Sequence, residues 1–254
     1  MENEKKIPSW FIYFFGSFGG ILFGYDIGVM TGALPFLKID WVSSMSNATL
    51  VGWVTSGVTF GAIFGGALAG QLADRLGRRR MILYSAVIFC VFSLLSGVAP
   101  NNGVFYLIII RCFLGLAVGA ASALVPPYMA ELAPARLRGR MNGLNQTMIV
   151  SGMLISYIMD YLFKGLPTAW GWRIMLAFAA VPAIVLFFGV LKLPESPRYL
   201  VNHGQNDEAR KVLSYVRSND NEIDSELNDI KKTAETEKHA ANKLSLIHIS
   251  EPTR

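Results

Sequence analysis

Charge is what this sequence has least of. Only 16% of its 254 residues are Asp, Glu, Lys or Arg, against roughly 25% in an average soluble domain. The shortage is confined to one part of the chain. Residues 1–193 hold 21 charged side chains, while residues 194–254 hold 20 in under a third of that length. The mean hydropathy of +0.40 therefore averages a nearly charge-free apolar segment and an ordinary solvated one. A single soluble domain and a disordered chain are both excluded. Histidine is equally scarce: His203, His239 and His248 all fall in the polar segment, so a zinc or haem enzyme has no ligand set. The two cysteines, Cys90 and Cys112, lie inside apolar runs and read as small buried hydrophobes. A formal charge of +5 and a pI of 9.2 do not point to nucleic acid, because the basic excess is spread between apolar runs.

Apolar runs are what the sequence has in abundance. A membrane helix needs about 20 mostly apolar residues, and six such runs occur: Trp10–Leu37, Ala48–Ala69, Met81–Ala99, Val104–Pro127, Met141–Phe163 and Trp172–Leu193. The short connections make them antiparallel neighbours, so the expected fold is an all-α membrane protein, a six-transmembrane-helix bundle over residues 1–193. One side of the membrane collects Lys5, Lys6, Arg75, Arg78, Arg79, Arg80, Arg136, Arg138 and Arg140, and the other only Lys38, Lys164 and Arg173. The positive-inside rule makes both termini cytoplasmic. All five tryptophans lie near run ends, as an interfacial belt requires. Residues 194–243 read as short cytoplasmic helices: Ser196-Pro197 is an N-cap with a first-turn proline, Gly204 a stop. A helix from Asp207 has Ala209, Val212, Leu213 and Val216 on one face, and another from about Asp220 to Lys238 has Ile223, Leu227 and Ile230. The sequon Asn47-Ala48-Thr49 sits close to the membrane and is read as chance.

Glycine recurs every fourth residue at Gly16, Gly20, Gly24, Gly28 and Gly32, at Gly57, Gly61 and Gly65, and at Gly115 and Gly119. Such spacing lets membrane helices approach closely. The ionisable residues inside the runs are more informative, since each costs roughly 2.5–3.5 kcal/mol at the bilayer centre. Asp26 lies deep in the first run on a face away from the glycines. Arg111 lies in the outer half of the fourth and is read as the buried base of the membrane interior. The pair is either a structural ion pair, which is weak evidence for stability, or a proton or substrate site on a water-filled cavity. A three-plus-three repeat would make their two helices equivalents flanking that cavity. Asp160, near an outer helix end, reads as solvated and structural. Gln146, with two donors and an acceptor, suits a neutral hydroxylated ligand or an inter-helix hydrogen bond. Phe23 shares the face of Asp26 and is placed to stack on a sugar ring or to pack in the core.

Acids also occur where basic residues alone are expected. Asp74, Arg75 and Arg78 join runs two and three, Glu131 and Arg138 flank the next inner loop, and Glu195 and Arg198 follow run six. Opposite charges at several helix ends can lock or release them as a gate. Gly70-x-x-x-Asp74-Arg75-x-Gly77-Arg78-Arg79-Arg80 resembles the loop signature of the major facilitator superfamily. Phe23-Gly-Tyr-Asp26-Ile-Gly, Arg111-Cys-Phe-Leu-Gly115-x-x-x-Gly119, Pro127-Tyr-Met-Ala-Glu131-x-x-Pro134-x-x-x-Arg138-Gly139 and Pro194-Glu-Ser-Pro-Arg198 resemble its sugar-porter branch.

The resemblance implies one half of a twelve-helix fold in the cell membrane. It implies secondary active transport of a monosaccharide coupled to a proton by alternating access, with no cofactor and no enzymatic step. Asp26 becomes the proton-coupling acid and Arg111 its partner, Phe23 and Gln146 sugar contacts, and Asp74, Arg75, Arg78, Glu131, Arg138, Glu195 and Arg198 the cytoplasmic gate. Facilitators of the family usually lack an acid at the position of Asp26, so bacterial xylose- or arabinose-type symporters are the nearest resemblance. An uncoupled facilitator and a non-transporting sensor of the same fold are the alternatives. The implied partners are the sugar, the proton, the bilayer and the second half of the same transporter. Residues 244–254, Leu-Ser-Leu-Ile-His-Ile-Ser-Glu-Pro-Thr-Arg, resemble translated sequencing-adapter DNA, so the chain is expected to be an N-terminal half that is inactive alone.

Overall fold

The structure is a computed structural model and describes residues 8–250 apart from residue 218. Lys5, Lys6 and the last four residues of the adapter-like tail lie outside the described residues. The chain is helical because an apolar segment in hydrocarbon must satisfy its own backbone. Helices α1 (Ser9–Ser17) and α2 (Gly19–Asp40) form the first span, followed by a short α3 (Val42–Met45). The next elements are α4 (Ala48–Leu76), α5 (Arg78–Gly97), α6 (Val104–Leu132), α7 (Arg138–Phe163) and the pair α8 (Thr168–Phe178) and α9 (Ala180–Leu191). Three further helices complete the order: α10 (Pro197–Asn202), α11 (Asn206–Val216) and α12 (Asp220–Ser250). The first and last apolar runs, expected to be continuous, are each interrupted by one turn. The Phe18 and Ala179 amides donate to Phe15 and Leu176, three residues back.

Among the described residues, five segments are long and apolar enough to cross a membrane: Trp10–Asp40, Ala48–Leu76, Arg78–Gly97, Val104–Leu132 and Thr168–Leu191. The remaining expected run lies in α7, which has 26 residues but is more polar. Arg138, Arg140, Asn142, Asn145 and Gln146 crowd its first turns. It is nevertheless the sixth helix of the bundle, lying along α2 from Gly20 beside Asn145 to Gly32 beside Asp160.

Glycine sets these helix distances. A Cβ built on Gly24 would strike the carbonyl of Ile149, and one on Gly152 the carbonyl of Ile21, so α2 and α7 meet backbone to backbone. The α4–α6 seam is closed from both sides. Gly61 and Gly65 face the carbonyls of Cys112 and Leu116, while Gly115 and Gly119 face those of Val58 and Ala62. Gly57 leaves room of another kind, with the Arg111 side chain 3.6 Å from its Cβ position. Between α4 and α5 the chain turns at Gly77, whose φ of 101° disfavours any other residue.

The helix ends follow their local chemistry. Asn47 caps α4 by accepting from the Thr49 amide at 2.9 Å, which gives the sequon a structural use. Ser196 caps α10 with Pro197 in its first turn, and Gly204 follows that helix at φ 78°. Ala209, Val212 and Leu213 of α11 and Ile223 and Leu227 of α12 are buried, as their spacing predicts. Trp10, Trp53 and Trp170 are exposed as a belt requires, but Trp41 and Trp172 are buried. These two form an edge-to-face pair, and the Trp172 indole donates to Asp40 at 3.0 Å.

Gly61→Leu is expected to destabilise the protein by more than the about 1–3 kcal/mol typical of an overpacked core, because the obstacle is backbone. Gly52→Leu, whose Cβ meets nothing within 4 Å, is expected to leave thermal unfolding of the detergent-purified protein unchanged. An equal fall in both midpoints would refute the seam.

Candidate functional site

The helices α2, α4 and α6 enclose a cleft of about 800 Å³ whose walls include Phe23, Asp26, Thr55, Thr59 and Arg111. The α4–α6 seam sets Arg111 opposite α2. Its Nη2 lies 3.5 Å from Oδ2 of Asp26, and both side chains are buried. The contact is single and long, while Arg111 Nε and Nη1 are buried without a hydrogen-bond partner. An ion pair serving stability would be bidentate with its remaining donors satisfied. This one leaves the guanidinium under-coordinated on the wall of an open cleft. Phe23 is half-buried on the same wall, one helical turn before Asp26. The structure thus brings together Asp26, Arg111 and Phe23. Gln146 is exposed on α7 and is not among the residues of this cleft.

Asp160 departs from its sequence reading as a solvated residue. It is buried against Gly32, and both carboxyl oxygens lack a hydrogen-bond partner. The reason is the glycine seam, which draws α7 close enough for α2 to cover it. Arg111 is also not alone as a buried base. Arg173 and Arg217 are also buried, at opposite ends of the bundle. Arg173 meets Asp40 at 3.2 Å and Asn101 at 2.9 Å, with further bonds to the Ala99 and Ala169 carbonyls.

The second cluster lies where α4, α6 and α9 end. Arg78 pairs with Glu131 at 2.9 Å, and the Ser196 hydroxyl donates to the other oxygen of Glu131. Asp74, Arg78 and Arg198 share a cavity of about 460 Å³. Glu195 accepts from the Arg79 amide at 2.9 Å and the Ser196 amide at 3.0 Å, so it caps α5. Arg138 turns elsewhere: its Nε donates to the Ala130 carbonyl, and its Nη2 lies 3.9 Å from Glu226 of α12. Arg75 contributes its carbonyl, which accepts from the Tyr199 hydroxyl at 3.3 Å.

Sequence reasoning missed the contacts that organise this cluster. Arg217 grips Glu226 with two bonds of 2.7 and 2.8 Å and reaches the Leu132 carbonyl at the end of α6. Tyr128 is fully buried, and its hydroxyl donates to the Pro194 carbonyl at 2.6 Å. The signal for Tyr128 was its place in a run of otherwise apolar residues, where a phenol needs a partner. Among the described residues, no group of three or more His, Cys, Asp or Glu could hold a metal.

Comparison with known proteins gives a consistent answer. The family model described as sugar (and other) transporter matches residues 12–249. The D-xylose transporter of Levilactobacillus brevis is 48% identical over 91% of this chain and 49% of its own length. The glucose transporter GlcP of Staphylococcus epidermidis is 40% identical over 89% of this chain and 49% of its own. Among solved structures, the proton:xylose symporter XylE bound to 6-bromo-6-deoxy-D-glucose superposes with a TM-score of 0.86 at 29% identity, covering 94% of this chain and 56% of that one. The xylose transporter XylE from E. coli, partially occluded and inward open, gives 0.84 at 30% identity, covering 91% and 60%. The chain spans about half the length of the curated relatives it matches.

A buried carboxylate deprived of its partner costs about 3–5 kcal/mol. Arg111→Gln is therefore expected to lower the unfolding midpoint sharply. The double variant Asp26→Asn/Arg111→Gln is expected to recover most of the loss in a thermal double-mutant cycle. Additive losses would show that the two groups do not interact.

Proposed function

From the premise that this chain belongs to the sugar transporter family of the major facilitator superfamily, we propose that it supplies the N-terminal half of a transporter that couples monosaccharide entry to proton entry. The observation that carries this reading is the under-coordinated Asp26–Arg111 pair on the wall of the cleft. Ionised Asp26 is stabilised by Arg111. A proton arriving from outside neutralises Asp26 and frees Arg111 to rearrange. The loaded carrier then turns without an unpaired buried carboxylate. Phe23 stacks on the sugar ring. Gln146, exposed on α7, contributes its amide once the second half closes the site.

The charged cluster acts as the cytoplasmic gate of this cycle. Arg78–Glu131 and Ser196–Glu131 hold the start of α5 and the cap of α10 to the end of α6, with Asp74 and Arg198 lining the adjoining cavity. Glu195 holds the start of α5 in the same unit, and Arg75 and Arg138 complete the charge distribution at its rim. Among the described residues, the walls of the cleft come from α2, α4 and α6, so residues 1–243 by themselves bind at most and do not carry. Their place is the cell membrane, with the gate facing the cytoplasm.

Each proton entering down about 100 mV brings about 2.3 kcal/mol, enough for roughly 50-fold accumulation at one proton per sugar. In the transporter of full family length, Asp26→Asn mimics the protonated acid. It is expected to abolish uphill xylose uptake in energised vesicles while leaving counterflow exchange. Vesicles with residues 1–243 alone are expected to take up no xylose. An Asp26→Asn transporter that still concentrates sugar would overturn the proton role of Asp26.

The gate has its own test. Glu131→Gln removes the charge that Arg78 binds, and a coupling of about 1–3 kcal/mol shifts populations roughly 5–150-fold. The full-length variant is expected to show faster labelling of a cysteine placed on the cytoplasmic side of the cavity. Labelling at the unaltered rate would refute the gate.

A further inference from the structure

A further cavity, of about 570 Å³, lies at the gate end of the bundle where α5 begins and α9 ends, away from the sugar cleft. Four basic residues line it, Arg79, Arg80, Lys192 and Lys211, with two acids, Glu195 and Glu208. Glu195 is already engaged by the Arg79 and Ser196 amides. Arg79 is engaged as well, its guanidinium donating to the carbonyls of Val190 and Leu191. It therefore fixes the end of α9 against the start of α5. Arg80 and Lys192 are exposed at the cavity.

Each of these two cations heads an apolar stripe. On α5, Arg80, Tyr84 and Ile88 follow one another at intervals of four, and on α9, Ile184, Phe188 and Lys192 do the same. Residues four apart share a helix face. Tyr84 is 52% exposed, Ile88 38%, Ile184 44% and Phe188 61%. The two helices touch one another, as Arg79 shows. A basic cavity at the foot of two exposed apolar stripes fits an amphiphile with an anionic head. A soluble anion has no use for the stripes.

We propose that this cavity binds the phosphate head of an anionic membrane lipid whose acyl chains lie along α5 and α9. Basic pockets between helices at the membrane surface recognise such heads by charge. The site requires only that the helices stand in a membrane and does not depend on what is carried.

The test uses the whole chain reconstituted in nanodiscs of equal phosphatidylglycerol and phosphatidylcholine. After transfer to detergent, the lipid retained is identified by native mass spectrometry. Phosphatidylglycerol is expected to be retained in preference to phosphatidylcholine. Arg80→Gln/Lys192→Gln is expected to weaken that retention by about 30-fold, the worth of two interfacial cations, and Arg80→Lys/Lys192→Arg to preserve it. The unfolding midpoints of both variants in detergent are expected to match that of the parent. Equal retention of the two lipids, or undiminished retention by the glutamine variant, would overturn the site. Displacement of the lipid by soluble glycerol phosphate would also overturn it, by assigning the cavity to a free anion.

Discussion

Contact between helix backbones without intervening side chains is the constraint on which this bundle rests. Hydrocarbon offers no hydrophobic drive between helices, so association depends on close packing. Along α4 and α6, four glycines place backbone on backbone from both sides. Along α2 and α7, Gly24 and Gly152 do the same, while Gly28 and Gly32 make room for the side chains of Ser156 and Asp160. The functional geometry follows from these seams. With α4 against α6, Gly57 leaves room for the base of the Arg111 side chain, which lines the cleft and reaches Asp26 of α2. A bulkier residue at any of these points would move a helix, and with it the distance between Arg111 and Asp26.

Polar groups inside the bundle sort by how well they are partnered. Arg173 has Asp40, Asn101 and two carbonyls, and Arg217 has Glu226 and the Leu132 carbonyl. Both are saturated, and both fasten helix ends. Arg111 has one contact at 3.5 Å and two idle nitrogens. Desolvation makes that arrangement costly. The three arginines differ in location as well as in bonding: the saturated two lie at the ends of the bundle, and the unsaturated one lies on the wall of a cleft. The cost of burying Arg111 is thus concentrated where a proton or a ligand can reach it.

The spans were legible in the sequence because in a membrane each helix must be apolar by itself, whatever it packs against. Asp26 and Arg111 were legible for the same reason, since an ion in such a run is conspicuous. The polar character of Asn142, Asn145 and Gln146 was visible too, and it is what sets α7 apart from the other five. What periodicity could not give was which face meets which. Asp160 sits near a helix end and reads as solvated, yet α2 covers it at Gly32. Trp41 and Trp172 sit at run ends and read as a belt, yet they pack on each other. The shared cleft of Phe23 and Asp26 needed only α2, and their spacing revealed it. The placement of Gln146 depends on how α7 rotates against α2, and one helix's pattern carries no such information. Arg217 and Tyr128 act through backbone carbonyls of other elements, and which carbonyl a side chain meets is not written in the sequence.

The helix α6 joins the two candidate regions. Arg111 and Glu131 are twenty residues apart on it, about 30 Å at 1.5 Å per residue. Its two ends are held by different physics. Around Arg111, Gly115 and Gly119 lock it to α4 through backbone contacts that no change of charge can release. Near Glu131, Pro126 and Pro127 remove two backbone donors from the helix ladder. That end is fastened instead by polar side chains: Tyr128 to Pro194, Glu131 to Arg78 and Ser196, and Arg217 to the Leu132 carbonyl. Such contacts break and re-form at the cost of a few hydrogen bonds, whereas a glycine seam cannot open without separating the helices. In the proposed cycle the chemistry at Asp26 therefore takes place against the rigid part of α6, and the release takes place at the end held by side-chain hydrogen bonds and ion pairs.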